Sequence, residues 1–256
     1  MRKFLYLCKV KRMYGVIFIM AAAVWIALFC YYRQPVVAGS WTKQTLFLWL
    51  TNTWHGQAKS AEARFLLIDD DSGDGVFTLK QLCDSLQLKA TFAVIPQRMS
   101  SRVSDSLRNW QAEGYGIALH GLNHERWTEW NKERVMADID QSISHLAQRG
   151  FNTSSISYVV PPHACNTRAI RAAVRAKGYK MVTGANIVNP DTTLFQYGRI
   201  FITRDTNMDE LQSVLKRAYD NKGYVILGTH SSMAGEFSAE KTQAALQMVK
   251  MIGFEY

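Results

Sequence analysis

Cysteine is scarce in this sequence, which limits the kinds of protein it can encode. Of four cysteines in 256 residues, Cys8 and Cys30 lie near the N-terminus, and only Cys83 and Cys165 lie further along. Two cysteines so far apart form neither a disulfide framework nor a zinc ribbon. Internal repeats and low-complexity tracts are missing as well. The sequence therefore gives no sign of a disulfide-rich or repeat protein.

A strong basic excess is also missing once the N-terminus is set aside. The formal net charge is +9. Residues 1–33 contain six Lys and Arg and no Asp or Glu, which leaves 24 basic and 21 acidic residues in the rest of the chain. A nucleic-acid-binding protein usually shows a larger and clustered excess. We therefore expect no nucleic acid among the partners.

Charge is absent from residues 13–32, a mostly apolar run that follows a basic head. As a helix rising about 1.5 Å per residue, this run would span the ~30 Å core of a bilayer, with the N-terminus in the cytoplasm. A signal peptide cleaved after Val36-Val37-Ala38 is the alternative, but its apolar region usually has about 7–15 residues. A lipoprotein cysteine at Cys30 is disfavoured by the bulky Phe29. The sequence predicts a single-pass membrane protein whose remaining residues are extracytoplasmic.

The chain divides into a head and transmembrane anchor (1–33), a juxtamembrane linker (34–60) and a catalytic domain (61–256). Short apolar runs in the third part predict seven strands: 64–68, 90–95, 116–120, 156–160, 179–183, 198–202 and 224–228. Helical patterns lie between most of them, for example at 135–150 and at 206–223, where Thr206 and Asp209 form a capping box. Alternating βα units with fully apolar strands predict a parallel sheet covered by helices. The expected fold is an α/β barrel of the (β/α)7 type.

Polar residues follow several of these strands, and in a parallel barrel such strand ends share one site. Two histidines and one carboxylate leave open coordination positions, which is typical of a reactive metal site. Polar loop histidines without a ligand are the alternative, but an aspartate cluster and a further histidine at other strand ends favour a metal. The strand-end residues are Asp69, Asp70, Asp71, His120, His124, Pro161, Pro162, His163 and His230.

The ordered set of motifs resembles the polysaccharide deacetylases, carbohydrate esterase family four with its NodB-homology domain. Leu67-Ile68-Asp69-Asp70-Asp71 resembles the family's T-F-D-D-G, and Ala90-Thr91-Phe92-Ala93 resembles A-T-F-F. His120-Gly121-Leu122-Asn123-His124 is similar to H-[ST]-x-x-H, and Gly228-Thr229-His230 to the late L-x-H strand end. The resemblance covers about residues 62–254 and implies a distorted (β/α)7-type barrel of the deacetylase kind.

The resemblance also implies the roles of individual residues. Asp69 would be the general base and His230 the general acid, while Asp70, His120 and His124 would hold one divalent metal ion, expected to be zinc. A competing register, shifted by one residue, makes Asp70 the base and Asp71 the ligand. The side chains expected to contact the substrate are those of Pro162, His163 and Trp127, although helix packing is an equal reading of Trp127.

Three departures from the family pattern bear on activity. Gly121 stands where the family has Ser or Thr. The R-x-P-x-G motif reduces to Val160-Pro161-Pro162-His163-Ala164, without the arginine that normally orients the base, and no D-x-x-D-W is found. The expected function is a membrane-anchored hydrolase that removes acetyl groups, by amide cleavage on amino sugars, from an extracytoplasmic polysaccharide. The alternatives are a catalytically impaired carbohydrate-binding protein on the same fold, or a metal hydrolase of another amide or ester.

Overall fold

The computed structural model describes residues 61–256, so the predicted anchor at 13–32 and the linker at 34–60 lie outside the described residues. Among the described residues no helix has the length and apolar character needed to cross a membrane. Strands and helices follow in the order β1 (Arg64–Asp70), α1 (Gly75–Leu86), β2 (Thr91–Val94), α2 (Ser101–Ala112), β3 (Gly116–Leu119), α3 (Lys132–Gln148), β4 (Tyr158–Val159), α4 (Arg168–Ala176), β5 (Lys180–Thr183), β6 (Gln196–Gly198), β7 (Ile200–Phe201), α5 (Met208–Asp220), β8 (Tyr224–Thr229) and α6 (Ala239–Ile252).

The strands form a parallel sheet that nearly closes into a barrel. Their order is β6-β5-β4-β3-β2-β1-β8-β7. Only Arg199 separates β6 from β7, so one bent segment pairs with β5 through its first half and with β8 through its second. The predicted parallel α/β barrel is therefore confirmed, with eight strands where the sequence predicts seven. The predicted strand at 198–202 is interrupted at Arg199, which becomes important for the site.

Two apolar layers hold the barrel together, and successive strand residues alternate between them. In β1, Phe65 and Leu67 pack with residues of the covering helices, such as Leu79 of α1. Ile68 instead joins a second cluster built from strand residues that face the barrel interior, including Tyr197. Burial on both faces explains why the strands read as continuous apolar runs.

Both of the explicitly predicted helices form. The pattern at 135–150 lies in α3, and its apolar face is buried at Val135, Ile139 and Leu146 and partly buried at Ile143. The pattern at 206–223 lies in α5, but the predicted cap is wrong by one residue. Asn207 caps the helix by accepting two N–H groups of its first turn. The Thr206 hydroxyl is engaged elsewhere, since it accepts the N–H of Thr203.

Candidate metal centre and active site

The alternation of the strands explains why polar side chains meet at one end of the barrel. Each of these side chains stands an even number of residues beyond a member of the interior cluster and therefore lies on the same strand face. Asp70 follows Ile68 in this way, and Arg199 follows Tyr197. His120 and His230 stand in the same relation to Ala118 and Ile226, the latter with Gly228 between. The carboxyl end of the barrel thus gathers acid, base and ligand groups from distant parts of the chain.

A cluster of three ligand atoms forms where β1 and β3 end. The Oδ1 atom of Asp71 lies 3.4 Å from Nε2 of His120 and 3.4 Å from Nε2 of His124. All three atoms lie within 4.8 Å of one another. Two ligand atoms that are each about 2.1 Å from a tetrahedral zinc ion lie about 3.4 Å apart. The donor set and its two carboxylate–imidazole distances therefore fit a divalent metal.

The backbone turns Asp71 toward the histidines. Its φ angle is 75°, in the left-handed region, so its side chain leaves the alternation that separates Asp69 from Asp70. Its Oδ1 atom is buried and, apart from the two imidazole nitrogens at 3.4 Å, has no hydrogen-bond donor near it among residues 61–256. A buried carboxylate oxygen without a donor is costly unless a cation compensates it. This atom is the observation that most directly favours a metal.

Neighbouring groups fix the rings and set their protonation. Nδ1 of His120 donates to the carbonyl oxygen of Val160 at 2.7 Å, which leaves Nε2 for the cluster. Such a bond commonly orients metal-ligating histidines. Burial, together with the charge of His120, lowers the pKa of His124 to about 4, so its imidazole is neutral at pH 7. Burial raises the pKa of Asp71, but the nearby His120 and His124 outweigh it and lower the value to about 2.

Asp70 is held by an arginine and not by the cluster. Nη1 and Nη2 of Arg199 donate to its two carboxylate oxygens at 2.7 and 2.6 Å, a two-pronged ion pair in which both residues are buried. Burial raises the pKa of Asp70, yet the charges of Arg199 and His120 outweigh it and the net pKa lies below its usual value. Asp70 is therefore an oriented carboxylate, ionised at neutral pH.

Asp69 points away from the histidines and anchors the end of β8. Its Oδ1 accepts from the hydroxyl and the N–H that flank His230, those of Thr229 and Ser231, both at 2.7 Å. Its Oδ2 accepts from the Ser231 hydroxyl at 2.6 Å. Burial raises the pKa of Asp69 to about 7, with the three hydrogen bonds acting against the shift. Asp69 thus fixes the residues on either side of His230.

His230 sits beside Asp70 at the end of β8. Its Nε2 lies 3.6 Å from Oδ2 of Asp70, and its Nδ1 lies 3.1 Å from Oε2 of Glu236. The ring stacks on Phe201, with centroids 4.9 Å apart and planes at 9°. A carboxylate at Nδ1 favours a proton on that atom and fixes the ring. Nε2 is then directed at the site.

These positions revise several sequence-based assignments. The structure groups Asp71, and not Asp70, with His120 and His124, so the geometry matches the competing register. Trp127 is 0% exposed and packs against Trp130, so its expected contact with a substrate is wrong and the helix-packing alternative is right.

The two remaining substrate-contact candidates differ in exposure. Pro162 is buried, whereas His163 is exposed beside His124, with ring centroids 4.4 Å apart. Only His163 is thus open to a ligand.

Two residues of the site were missed by sequence reasoning. The segment 160–164 after β4 lacks the arginine of the R-x-P-x-G motif. Arg199, at the bend between β6 and β7, pairs with Asp70 instead. A single charge inside the apolar run 198–202 was a signal that could have revealed it. Glu236 lies in the loop after β8, where no spacing rule points to it.

The glycine between the two histidines has a structural reason. Gly121 has φ +75°, and an added Cβ would lie 2.7 Å from Cγ of Pro162. We expect Gly121→Ser, the family's residue, to lower the free energy of unfolding by about 1 kcal/mol from backbone strain and by another 1–3 kcal/mol or so from crowding. Gly178→Ser is the matched control, because Gly178 has φ +78° with nothing within 4 Å of its Cβ position. Equal losses in chemical denaturation of the two variants would contradict the account.

Asp138 holds the loop that carries the histidines. Its Oδ1 accepts the N–H of Leu122 at 2.9 Å, and burial raises its pKa to about 6. A raised pKa means that the folded state binds the proton more tightly, so this group's contribution to stability is present below pH 4 or so and is lost as the pH rises through about 6.

Asp138→Asn, which keeps the acceptor oxygen, should remove this pH dependence. Relative to the wild type, the variant is expected to gain up to about 3 kcal/mol on going from pH 4 to pH 7. Urea denaturation at both pH values measures the difference. An identical pH dependence in the two proteins would show that Asp138 does not titrate as described.

Comparison with known proteins agrees with the fold and the motifs. Residues 57–182 match the family model described as polysaccharide deacetylase. No curated protein sequence gives a significant match. A polysaccharide deacetylase from Bacillus cereus superimposes with a TM-score of 0.53 at 16% identity, covering 76% of this chain and 90% of that one.

Two further solved structures are similar. A family 4 acetyl xylan esterase from Clostridium thermocellum, in complex with a cobalt ion, has a TM-score of 0.52 at 16% identity over 75% of this chain and 85% of that one. A family 4 pseudoenzyme from Bacillus anthracis has a TM-score of 0.54 at 10% identity over 76% and 63%. With residues 57–182 matching the family model and the same fold in these structures, the chain is a divergent relative of the polysaccharide deacetylases.

Proposed function

We propose that this chain is a membrane-anchored, metal-dependent deacetylase that removes acetyl groups from an extracytoplasmic polysaccharide. One observation carries the proposal. A cluster fit for a metal, Asp71 with His120 and His124, lies beside an arginine-held carboxylate and a histidine at the same end of the barrel. Hydrolysis of an acetyl group needs these three functions: an electrophile, a base and an acid.

The three adjacent aspartates have three different roles in this proposal. Asp71 is the metal ligand, since its Oδ1 faces both histidines. Asp70 is the general base, because Arg199 keeps it ionised and aimed into the barrel mouth. Asp69 is a positioning residue that fixes the loop of His230. The register first expected, with Asp69 as base and Asp70 as ligand, is replaced.

Zinc is the expected metal, because two imidazoles and one carboxylate leave open positions of the kind found in catalytic zinc sites. When bound, the metal supplies Lewis-acid polarisation of the acetyl carbonyl. Asp70 accepts the proton of the attacking water. His230 donates a proton to the departing nitrogen or oxygen, and Glu236 holds its ring for this task. An amine leaves poorly without such a donor.

The substrate class follows from the family and from the exposed rim of the site. N-acetylated amino sugars of a polysaccharide are the expected substrate, and His163 is the rim residue expected to contact the glycan. The extracytoplasmic location rests on the charge-free run 13–32 and the basic head before it. A reporter that needs export for activity, fused after Tyr256, should be active, and the fusion should sediment with membranes. A fusion active only in the cytoplasm would overturn the location.

The activity is tested by acetate release from the purified full chain. N-acetylated chitooligosaccharides, cell-wall glycans and O-acetylated xylan should be compared, each with chelator and with Zn²⁺ added back. Release from an N-acetylated glycan that needs the metal supports the proposal. Release from the O-acetylated substrate alone would mean that the enzyme cleaves an ester bond and not an amide bond. No release from any of them would refute the activity.

A carbohydrate-binding protein without turnover is the second candidate. It is favoured because the sequence lacks the arginine of the R-x-P-x-G motif. Glycan binding with a measurable affinity, together with no acetate release from metal-loaded protein, would support it. Arg199 weakens this candidate. It pairs with Asp70 and can orient the base, which is the task of the arginine that the R-x-P-x-G motif lacks here.

A further inference from the structure

We propose that Arg199 decides which of two neighbouring aspartates holds the metal and which stays free to act as base. The inference rests on the proposed function and deepens it. Adjacent carboxylates near two imidazoles could both coordinate a cation, and a carboxylate that coordinates the metal becomes a much weaker base. A device that keeps Asp70 out of the metal site is therefore a condition for activity.

The distances show how close the competition is. Oδ1 of Asp71 lies 3.4 Å from Nε2 of His120, and Oδ2 of Asp70 lies 3.9 Å from the same atom. Half an ångström is within the reach of a small side-chain rotation. Proximity to the histidine alone does not separate the two residues.

The arginine separates them. Its two terminal nitrogens donate to both oxygens of Asp70. Oδ1 of Asp71 has only the two imidazole nitrogens near it among residues 61–256. A two-pronged arginine pair is rigid and strong when buried. Bringing a cation to Asp70 would break this pair or place two positive charges on one carboxylate. Asp71 has no such obstacle.

The position of Arg199 is built into the closing segment of the barrel. It stands at the bend between β6 and β7, and its guanidinium lies 4.4 Å from the centre of the Phe201 ring. Gly228 on the facing β8 leaves the room, since an added Cβ would be 3.1 Å from Cδ of Arg199. The side chain is 3% exposed and has Asp70 as its only ion-pair partner in the described part of the chain. Its contacts therefore serve this one carboxylate.

The test is a double-mutant cycle on Zn²⁺ affinity, measured by calorimetry with the full chain. Asp71→Asn should weaken Zn²⁺ binding by about 100-fold. Arg199→Met in that background should restore at least about tenfold, because the released Asp70 can then coordinate. The single variant Arg199→Met should keep Zn²⁺ but lose turnover by about 100-fold or more. A double variant that binds Zn²⁺ no better than Asp71→Asn would overturn the inference.

Two further variants keep the test decisive. Arg199→Lys retains the charge without the fork, and it replaces Arg199→Met in the cycle if the methionine variant does not fold by circular dichroism. In that case a recovery of Zn²⁺ affinity of several-fold is expected, and no recovery contradicts the inference. Arg102→Met is the control, since Arg102 also stacks over a phenylalanine, Phe77, but on the outside of the barrel. It should change neither the affinity nor the turnover.

Failure of this inference is distinguishable from failure of the proposed function. The Zn²⁺ cycle needs no substrate. If the wild type releases no acetate while the cycle shows the recovery, the activity is wrong and the role of Arg199 stands. If the wild type releases acetate and the cycle shows no recovery, only the role of Arg199 is wrong.

Discussion

Asp70→Asn is expected to lower kcat by about a thousandfold while Zn²⁺ remains bound at full stoichiometry. A positioned general base usually contributes 10²–10⁴-fold or so, and an amide cannot accept the proton. Asp71, His120 and His124 are untouched by the change, so the metal should stay. The variant also leaves Arg199 buried without its counter-charge, which typically costs about 3–5 kcal/mol. The assay should therefore be run well below the melting temperature.

Asp69→Asn is the comparison for this prediction. Asp69 is the neighbouring aspartate and is equally buried, but its oxygens bind the end of β8 and do not reach the histidines. Its loss should lower stability and reduce kcat less than Asp70→Asn does. If Asp70→Asn loses the metal and Asp69→Asn keeps it without turnover, the register first expected from the sequence is the correct one.

Asp71→Asn and His124→Ala should each remove the metal and, with it, all activity above background. Among residues 61–256, Asp71 alone provides a carboxylate oxygen that faces both Nε2 atoms at 3.4 Å. We expect affinity for Zn²⁺ to fall by at least about 100-fold, beyond the 10–100-fold or so that is usual for residues behind the ligands. Metal content after gel filtration, measured by mass spectrometry, gives the answer.

His145→Ala is the control for the histidine variant. His145 lies in the last turn of α3 and belongs to no ligand cluster among residues 61–256. It should bind Zn²⁺ like the wild type. Wild-type stoichiometry in both Asp71→Asn and His124→Ala would place the metal elsewhere.

The barrel was predictable because a parallel sheet buried on both faces leaves a clear mark. Each strand is a short apolar run, and the seven predicted runs contain all or most of seven observed strands, whereas β6 shares only Gly198 with them. The same burial on both faces conceals which residues of a strand point to the barrel interior and which point to the helices. Since Leu67 and Ile68 are equally apolar, the sequence cannot say which faces the interior, and so cannot say whether Asp69 or Asp70 enters the site.

The rest of the site depends on backbone geometry that no pattern encodes. Asp71 reaches the histidines because its φ angle is positive, at a residue type for which this is unusual but accessible. Arg199 enters at a bend that interrupts a strand. Trp127 was a candidate for substrate contact because it lies close to His124 in the sequence, but only the tertiary structure shows that it is buried.

The central claim is that metal held by Asp71, His120 and His124 serves the hydrolysis of acetyl groups on a glycan. Acetate release from an N-acetylated oligosaccharide by the full chain, followed during titration of chelated protein with Zn²⁺, tests it most directly. Activity should rise linearly and saturate at one Zn²⁺ per chain, and the same titration of Asp71→Asn should stay flat. Acetate release that is independent of Zn²⁺, or a wild-type chain that binds one Zn²⁺ and releases no acetate from any acetylated glycan, would contradict the account.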